Sequence, residues 1–165
     1  MINTKDNPVP QVSLNFLRTH SLFGGIKDYE LEKIRKLLIE KHFPPETDIV
    51  REGEPGGDLY LIWKGSVKVL KKNPDDPNAP PMQLTVLNEG DSFGEMELID
   101  IQCSGASVKT REETITLILT NGDLYSIEES NLQTFTMIIM NLAREISRRL
   151  RTIEADAVRA NFKRT

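Results

Sequence analysis

The chain has 165 residues, of which 38% are hydrophobic and 28% charged, and its formal net charge is −4. These values are ordinary for a globular protein and favour one domain with a helical extension over two domains. The acidic balance argues against a general nucleic-acid binder, which needs a strongly basic surface. Cys103 is the single cysteine, so no disulfide framework can form within the chain, and we expect a reducing, cytoplasmic compartment.

The first third of the chain is predicted to be helical after a loose leader. Residues 1–13 are polar, contain two prolines and lack an apolar signal core, which predicts a flexible leader. Over residues 14–43 leucine and isoleucine recur at helical spacing, with a break at Gly24 and Gly25. No apolar run in the sequence is long enough to span a bilayer, so we expect no membrane association.

The middle of the chain has the shorter period of β-strands. Leu59–Lys64 is apolar in both alternating sets, which is typical of a strand covered on both faces. Val67 and Val69 alternate with polar residues and continue the pattern. Residues 73–81 contain four prolines and are predicted to form a loop, followed by a strand over residues 82–87.

A hairpin is predicted near residue 120. Residues 114–120 form a β-branched run, and Asn121 and Gly122 follow it directly. The Asn-Gly pair is the strongest short hairpin signal, so residues 124–127 are predicted to be the return strand.

The last segment reads as one long helix that ends at about Arg159. Its start is predicted at a capping box that opens at either Ser126 or Ser130. A stripe at steps of four and three residues can pack on the chain's own domain or pair with a twin helix. The stripe, which is the predicted dimer interface, consists of Phe135, Ile139, Leu142, Ile146, Arg149 and Ile153.

Two stretches resemble the cyclic-nucleotide-binding domain family, which includes bacterial CRP-like sensors and the regulatory subunits of cyclic-nucleotide-dependent kinases. Residues 49–70, IVREGEPGGDLYLIWKGSVKVL, resemble the family's strand, glycine turn and second strand. Residues 90–99, GDSFGEMELI, resemble the start of its phosphate-binding cassette. The resemblance implies a mainly β fold: an antiparallel jelly roll with N-terminal helices over residues 14–130, then a long helix and basic tail over 131–165.

The cassette, here residues 93–106, carries the predicted ligand site. Glycine lets a backbone approach a phosphate closely, and a carboxylate can accept hydrogen bonds from ribose hydroxyls. The resemblance implies these two roles for Gly94 and Glu95; alternatively, Gly94 serves a turn and Glu95 caps a helix. The predicted ligand-binding residues are Phe93, Gly94, Glu95, Met96, Ser104, Gly105 and Ala106.

Two positions depart from the pattern that the resemblance implies. Ser104 stands where the family has the arginine that clamps the cyclic phosphate. Loss of charge-assisted hydrogen bonds worth about 1.5–3 kcal/mol each weakens binding roughly tenfold to several hundredfold. Glu97 replaces a small residue, and it either points inward and repels a phosphate or faces solvent. Lys109, Arg111 and Arg51 are the candidate replacements for the missing cation.

These observations predict a stand-alone signalling module without a DNA-binding domain. In this hypothesis cAMP or cGMP binds weakly or not at all, no cofactor is used, and the module acts through contacts with an unidentified signalling protein. The alternative is a sensor of a cyclic nucleotide or related ligand with non-standard phosphate contacts. The CRP-like resemblance implies a homodimer through the C-terminal helix. The chain's two histidines, His20 and His42, lie far from the cassette in sequence, so neither an enzyme nor a metal site is expected.

Overall fold

The structure, a computed structural model, describes residues 9–76, 78–100 and 102–162. A short 3₁₀ helix at Ser21–Phe23 lies between the first two helices. The helices are Leu14–Thr19 (α1), Asp28–Leu37 (α2), Glu95–Asp100 (α3), Asn121–Ser130 (α4) and Leu132–Phe162 (α5). The strands are Ile39–Phe43 (β1), Asp48–Val50 (β2), Leu59–Lys64 (β3), Ser66–Lys71 (β4), Met82–Asn88 (β5), Ser92–Phe93 (β6), Ser107–Thr110 (β7) and Thr114–Leu119 (β8).

Two four-stranded antiparallel sheets form the body of the domain. Their strand orders are β1-β8-β3-β6 and β2-β7-β4-β5. Neighbouring strands in a sheet are often far apart in sequence, as β1 and β8 are, so long connections join the two sheets. The predicted antiparallel jelly roll with N-terminal helices and a long C-terminal helix is therefore confirmed.

Strand β3 is buried on both of its faces, as its composition predicts. Leu59 and Leu61 are fully buried in a large apolar cluster with side chains from the helices. Ile62 lies on the opposite face, in a second cluster that includes Val67 and Val108 of the other sheet. The domain core therefore has two layers, one between sheet and helices and one between the two sheets.

The boundary of the predicted leader needs a correction. Residues 1–8 lie outside the described residues. Val12 is fully buried in the core, and the Ser13 hydroxyl accepts a hydrogen bond from the Phe16 N–H at the start of α1. The last residues of the predicted leader therefore belong to the packed domain.

The helical prediction over residues 14–43 is wrong at its C-terminal end. Helix α2 ends at Leu37, and Ile39–Phe43 forms β1 instead. Ile39 pairs with Ile118 of β8, and both Ile39 and Phe43 are buried. Pairing with a distant strand outweighs the local helical spacing of these residues.

The predicted hairpin at Asn121 and Gly122 is also wrong, because α4 begins there. The Thr120 hydroxyl accepts a hydrogen bond from the Asp123 N–H at 3.1 Å and caps the helix. Strand β8 already pairs with β1 on one side and β3 on the other, so a return strand has no free edge. Leu124 and Ile127 are buried at helical spacing instead.

The long helix starts at Leu132, within one residue of the start that the second predicted capping position, Ser130, implies. Ser126 lies within α4, and its hydroxyl donates to the Gly122 carbonyl. The break between α4 and α5 falls at Asn131, whose side-chain oxygen accepts from the Thr134 N–H at 3.1 Å. An asparagine cap thus separates two helices that the sequence pattern joins.

Helix α5 has a docked part and a free part. Ile138 and Leu142 are buried against the domain, and the Asn141 side chain donates to main-chain carbonyls near the 3₁₀ helix. Residues 150–159 are all exposed. Among the described residues, none of the helices combines the length and apolar character needed to cross a bilayer.

Candidate functional site

A pocket opens between the loop that joins β2 to β3 and the cassette, with a volume of about 200 Å³. Main-chain hydrogen bonds hold the two walls together. The Ser104 N–H donates to the Glu54 carbonyl at 2.9 Å, and the Gly53 N–H donates to the Ser104 carbonyl at 2.8 Å. In the described part of the chain the pocket is lined by Ile49, Val50, Arg51, Glu54, Pro55, Gly56, Gly57, Asp58, Tyr60, Gly94, Glu97 and Ser104.

Two glycines allow the pocket walls to approach each other. Gly94 has φ +89°, and a Cβ there would lie 2.3 Å from the Asp58 carbonyl oxygen. A Cβ on Gly56 would lie 3.0 Å from Ser104 Oγ and 3.2 Å from Glu97 Cβ. Glycine is therefore required at Gly94 by both backbone conformation and space, and the loop passes directly over Ser104 and Glu97.

Glu97 faces the pocket rather than open solvent. Its side chain forms part of the pocket wall, and its Oε1 accepts a hydrogen bond from the Gly105 N–H at 3.0 Å. Ser104, the neighbour of Gly105, is 3% exposed. A carboxylate thus lies beside the position at which the family resemblance implies a phosphate-clamping arginine.

The pocket is acidic. Three lining carboxylates, Glu54, Asp58 and Glu97, and one lining guanidinium, Arg51, give a formal charge of −2. Arg51 is partly neutralised, because its Nε lies 3.5 Å from Asp48 Oδ2 and its Nη1 lies 3.7 Å from Glu54 Oε1. The lining therefore disfavours an anionic ligand.

Of the three candidate replacement cations, the structure brings Arg51 to the pocket lining. Lys109 lies on β7, where its ammonium is 3.4 Å from Asp48 Oδ1. The Arg111 main chain donates to the Ser66 carbonyl at the far end of β7. Neither Lys109 nor Arg111 belongs to the lining of this pocket in the described residues.

Lys71 is a cation near the cassette that the sequence analysis missed. Its ammonium donates to the Gly105 carbonyl and lies 3.0 Å from Glu52 Oε1. The Lys72 main-chain N–H and the Lys71 ammonium hold the pKa of Glu52 below its ordinary value. Pairing of β4 with β7 brings Lys71 to the cassette. The contact depends on strands that are distant in sequence, so no local sequence pattern indicates it.

Glu95, predicted to bind ribose, faces α5. The residue is 7% exposed, and its Oε1 lies 2.7 Å from Arg149 Nη1. Arg149 also donates to the Ser92 carbonyl and lies 3.5 Å from Glu145 Oε1. Glu95 Oε2 is buried and has no hydrogen-bond partner among the described residues. Arg149, predicted at a dimer interface, is therefore engaged within its own chain.

The remaining predicted cassette residues are dispersed. Phe93 is 4% exposed and stacks on Tyr60, with ring centroids 4.9 Å apart. Met96 is 60% exposed on the outside of α3, and Ala106 is half-buried. Burial, and then the nearby Asp58 carboxylate, raise the pKa of Tyr60. Of the seven predicted residues, Gly94 and Ser104 line the pocket.

The loop between β2 and β3 supplies pocket residues that the sequence analysis did not assign to the site. Glu54, Gly56 and Asp58 belong to it. In the sequence, this glycine-rich turn was assigned only to the family's strand, glycine turn and second strand. Its tight glycine pair beside two acids is the signal that could have indicated a ligand-facing loop.

The predicted dimer stripe is divided between core and surface. Phe135 and Ile139 pack against the large apolar cluster, and Leu142 is 1% exposed. Ile146 is half-buried, whereas Ile153 is 65% exposed. The first half of the stripe therefore packs on the chain's own core, where Leu142 is buried while Phe135 and Ile139 stay partly exposed.

A family model described as "Cyclic nucleotide-binding domain" matches residues 40–131. All residues of the pocket lining and of the cassette lie within this span. The chain belongs to the cyclic nucleotide-binding domain family. Domains of this type are regulatory rather than catalytic.

The curated relatives include kinases and kinase regulatory subunits. A cAMP-dependent protein kinase regulatory subunit of Pyricularia oryzae is 32% identical over 99 residues, which are 60% of this chain and 24% of that protein. The human cGMP-dependent protein kinase 2 is 28% identical over 112 residues, 68% of this chain and 14% of that protein. The chain spans about a quarter or less of the length of these relatives.

Solved structures share the fold at similar identity. A cyclic nucleotide-binding domain from Methylobacillus flagellatus has a TM-score of 0.74 at 25% identity, covering 84% of this chain and 76% of that one. A variant regulatory subunit of a cAMP-independent protein kinase A from Trypanosoma brucei, bound to cAMP, has a TM-score of 0.68 at 26% identity, with 80% and 45% covered. The corresponding Trypanosoma cruzi subunit, bound to guanosine, has a TM-score of 0.64 at 26% identity, with 74% and 41% covered.

Proposed function

We propose that this chain is a regulatory, non-catalytic domain whose pocket binds an uncharged nucleoside-like ligand in preference to a cyclic nucleotide. It acts through contacts with a signalling protein. The observation that carries this proposal is the Glu97 carboxylate, which lies on the pocket wall and accepts from the Gly105 N–H beside Ser104.

A cyclic phosphate fits this lining poorly for two physical reasons. The serine hydroxyl at Ser104 offers one neutral hydrogen bond where a guanidinium would offer a charged pair. Glu97 adds a negative charge to a pocket that already contains two other carboxylates. A neutral ligand avoids this repulsion, and its hydroxyl or amino groups can donate to the same carboxylate oxygens.

Two trypanosome proteins support a nucleoside ligand. The cAMP-bound Trypanosoma brucei variant has a glutamate, a threonine seven residues later and the next valine changed to alanine, arginine and alanine. This chain has Glu97, then Ser104 seven residues later and Gly105 next. The Trypanosoma cruzi subunit is bound to guanosine, a nucleoside without phosphate.

Arg51 favours the alternative function, a cyclic-nucleotide sensor with a non-standard phosphate contact. Its guanidinium lines the pocket, and its side chain is 63% exposed and so can reorient. Its carboxylate partners, Asp48 and Glu54, lie at 3.5 and 3.7 Å, which are long contacts for an ion pair. A bound phosphate could therefore compete for this cation.

Calorimetric titration with guanosine, adenosine, cAMP and cGMP tests the proposal. We expect the unmodified protein to bind a nucleoside at least about tenfold more tightly than either cyclic nucleotide. Ser104→Arg alone should gain little, because Glu97 would pair with the new guanidinium. The double variant Glu97→Ala/Ser104→Arg should bind cAMP roughly tenfold to several hundredfold more tightly than the unmodified protein.

A double variant on the outer surface of α4, Glu129→Ala/Ser126→Arg, makes the same change in charge away from the pocket and should alter no affinity. Tighter binding of cAMP than of either nucleoside by the unmodified protein would contradict the proposal. Loss of that cAMP binding in Arg51→Gln would then establish the alternative. Binding of none of the four compounds would contradict the ligand assignment itself.

We also propose that the free part of α5 pairs with a second copy of the chain. Residues 150–159 are exposed, and an isolated helix of this length is marginally stable in water. Ile146, Leu150, Ile153 and Ala157 follow one another at steps of four, three and four, which is the spacing of a two-stranded coiled coil. The pairing face is thus displaced toward the C-terminus relative to the predicted stripe.

A further inference from the structure

His20 is buried at the junction of the N-terminal helices with the rest of the domain. It is 4% exposed. Its ring packs near the rings of Phe16 and Phe23, with centroid distances of 6.0 and 5.8 Å. The residue is the N-cap of the 3₁₀ helix Ser21–Phe23, so a histidine holds a position that serine or aspartate usually occupies.

The hydrogen bonding of His20 determines where its protons lie. Nδ1 accepts a hydrogen bond from the Leu22 N–H at 3.2 Å, so the proton of the neutral ring is on Nε2. Nε2 is buried, and none of the described residues accepts a hydrogen bond of ordinary geometry from it, although the Asp91 main chain lies close enough to act on the ring. A second proton must therefore bind Nδ1, and it would break the bond to Leu22 that caps the 3₁₀ helix.

Charged groups face His20 from two other elements. Glu145 and Arg149 approach from α5, and Asp91 approaches from the turn between β5 and β6. Burial is the main influence and lowers the pKa of His20 below its ordinary value of 6.5. The Asp91 main chain and the two carboxylates oppose this effect, and Arg149 reinforces it.

The capped 3₁₀ helix is the part of the N-terminal region that docks on α5. Asn141 Nδ2 donates to the carbonyls of Leu22 and Gly24, both at 2.9 Å. The Ser21 hydroxyl donates to Glu145 Oε2 at 3.3 Å. The positions 141, 145 and 149 are four residues apart and so share one face of α5.

That face of α5 continues to the cassette. Arg149 lies 3.5 Å from Glu145 Oε1 and 2.7 Å from Glu95 Oε1. One side of a single helix therefore contacts the 3₁₀ helix at one end and the first acid of the cassette at the other.

We propose that His20 is a pH-sensitive switch, in which protonation of Nδ1 removes the cap of the 3₁₀ helix, loosens its docking on α5 and weakens the contact of Arg149 with Glu95. The proton comes from a hydronium ion of the solvent and forms an N–H bond with the lone pair of Nδ1; no other covalent bond changes. The stability that neutral His20 contributes is complete above pH 6.5, the ordinary pKa of histidine. It is lost as the pH falls toward the lowered pKa that His20 has in the folded protein. Within that window the opening equilibrium rises about tenfold per pH unit.

Amide hydrogen exchange of the full chain between about pH 8 and about pH 5, corrected for intrinsic rates, tests the switch. His20→Asn is the central variant, because its amide oxygen can cap the helix but does not titrate. The matched control is His42→Asn, at the other histidine, whose side chain is 58% exposed. NMR titration of the His20 ring is measured in parallel.

In the unmodified protein and His42→Asn, exchange in residues 21–24 and 141–149 should accelerate as pH falls, with the rise expected for a single proton. In His20→Asn it should not change. A flat profile in the unmodified protein, or the same rise in His20→Asn, would overturn the proposal. A His20 midpoint at or above 6.5 would also overturn it, and that measurement needs no variant to fold.

Discussion

Gly94 is the residue at which one added methyl group has the clearest structural consequence. Its φ of +89° is a conformation that side chains disfavour, and an added Cβ would also lie 2.3 Å from the Asp58 carbonyl oxygen. The first effect is local, and the second arises because the cassette packs on the loop between β2 and β3. A second glycine with nearly the same φ but with open space around it allows the two effects to be measured separately.

Gly90 has nearly the same conformation, φ +87°, with nothing within 4 Å of an added Cβ. We expect Gly90→Ala to lower the free energy of unfolding by about 1–2 kcal/mol through backbone strain. Gly94→Ala should lower it by about 3 kcal/mol or more, because the clash adds to the same strain. Urea denaturation measures both, and equal losses would contradict the close packing of Gly94 on Asp58.

At the level of a single element, the proposed pairing face of α5 can be tested by one substitution. Ile153→Glu places a charge in the proposed coiled-coil face, where Ile153 is 65% exposed in the single chain. We expect the dissociation constant of the homodimer to rise about tenfold or more, while the fold of the monomer is unchanged. Sedimentation equilibrium measures this constant.

Thr152→Glu is the matched control, since it makes the same change in charge at an exposed position on a different face of α5. It should leave the dissociation constant nearly unchanged. A monomeric unmodified protein at every concentration, or equal effects of the two substitutions, would argue against pairing through this seam.

At the scale of the whole molecule, α5 contacts both the N-terminal 3₁₀ helix and the cassette, which no strand pairing joins. The Asn141 amide donates to the buried carbonyl of Leu22 and to the partly buried carbonyl of Gly24. Asn141→Ala would leave both without a donor, so we expect the free energy of unfolding to fall by about 1–3 kcal/mol. Limited proteolysis should show earlier cleavage near the 3₁₀ helix.

Gln133→Ala is the control for this prediction, because it removes an exposed amide from the same helix. It should change stability by less than about 0.5 kcal/mol. If the two variants had the same stability and the same cleavage pattern, the Asn141 contacts would not be what docks the N-terminal region.

The wrong secondary-structure predictions have a common physical cause. Ile39–Phe43 has local helical spacing but pairs with β8, which lies far along the chain. Asn121 and Gly122 favour a hairpin, yet both edges of β8 are occupied in the folded sheet. Strand pairing depends on partners that are distant in sequence, and neither local propensity nor turn chemistry contains that information.

From the sequence by itself, the resemblance of two glycine-bearing stretches indicated the family and implied the jelly roll, and the hydrophobic pattern predicted the doubly buried strand Leu59–Lys64. Motif residues and hydrophobic periodicity are local features, which a sequence displays directly. Tertiary structure alone decided that Glu97 faces the pocket while Glu95 contacts Arg149. Side chains two residues apart on a helix point about 200° apart, and packing against a distant helix selects which of them faces the ligand site.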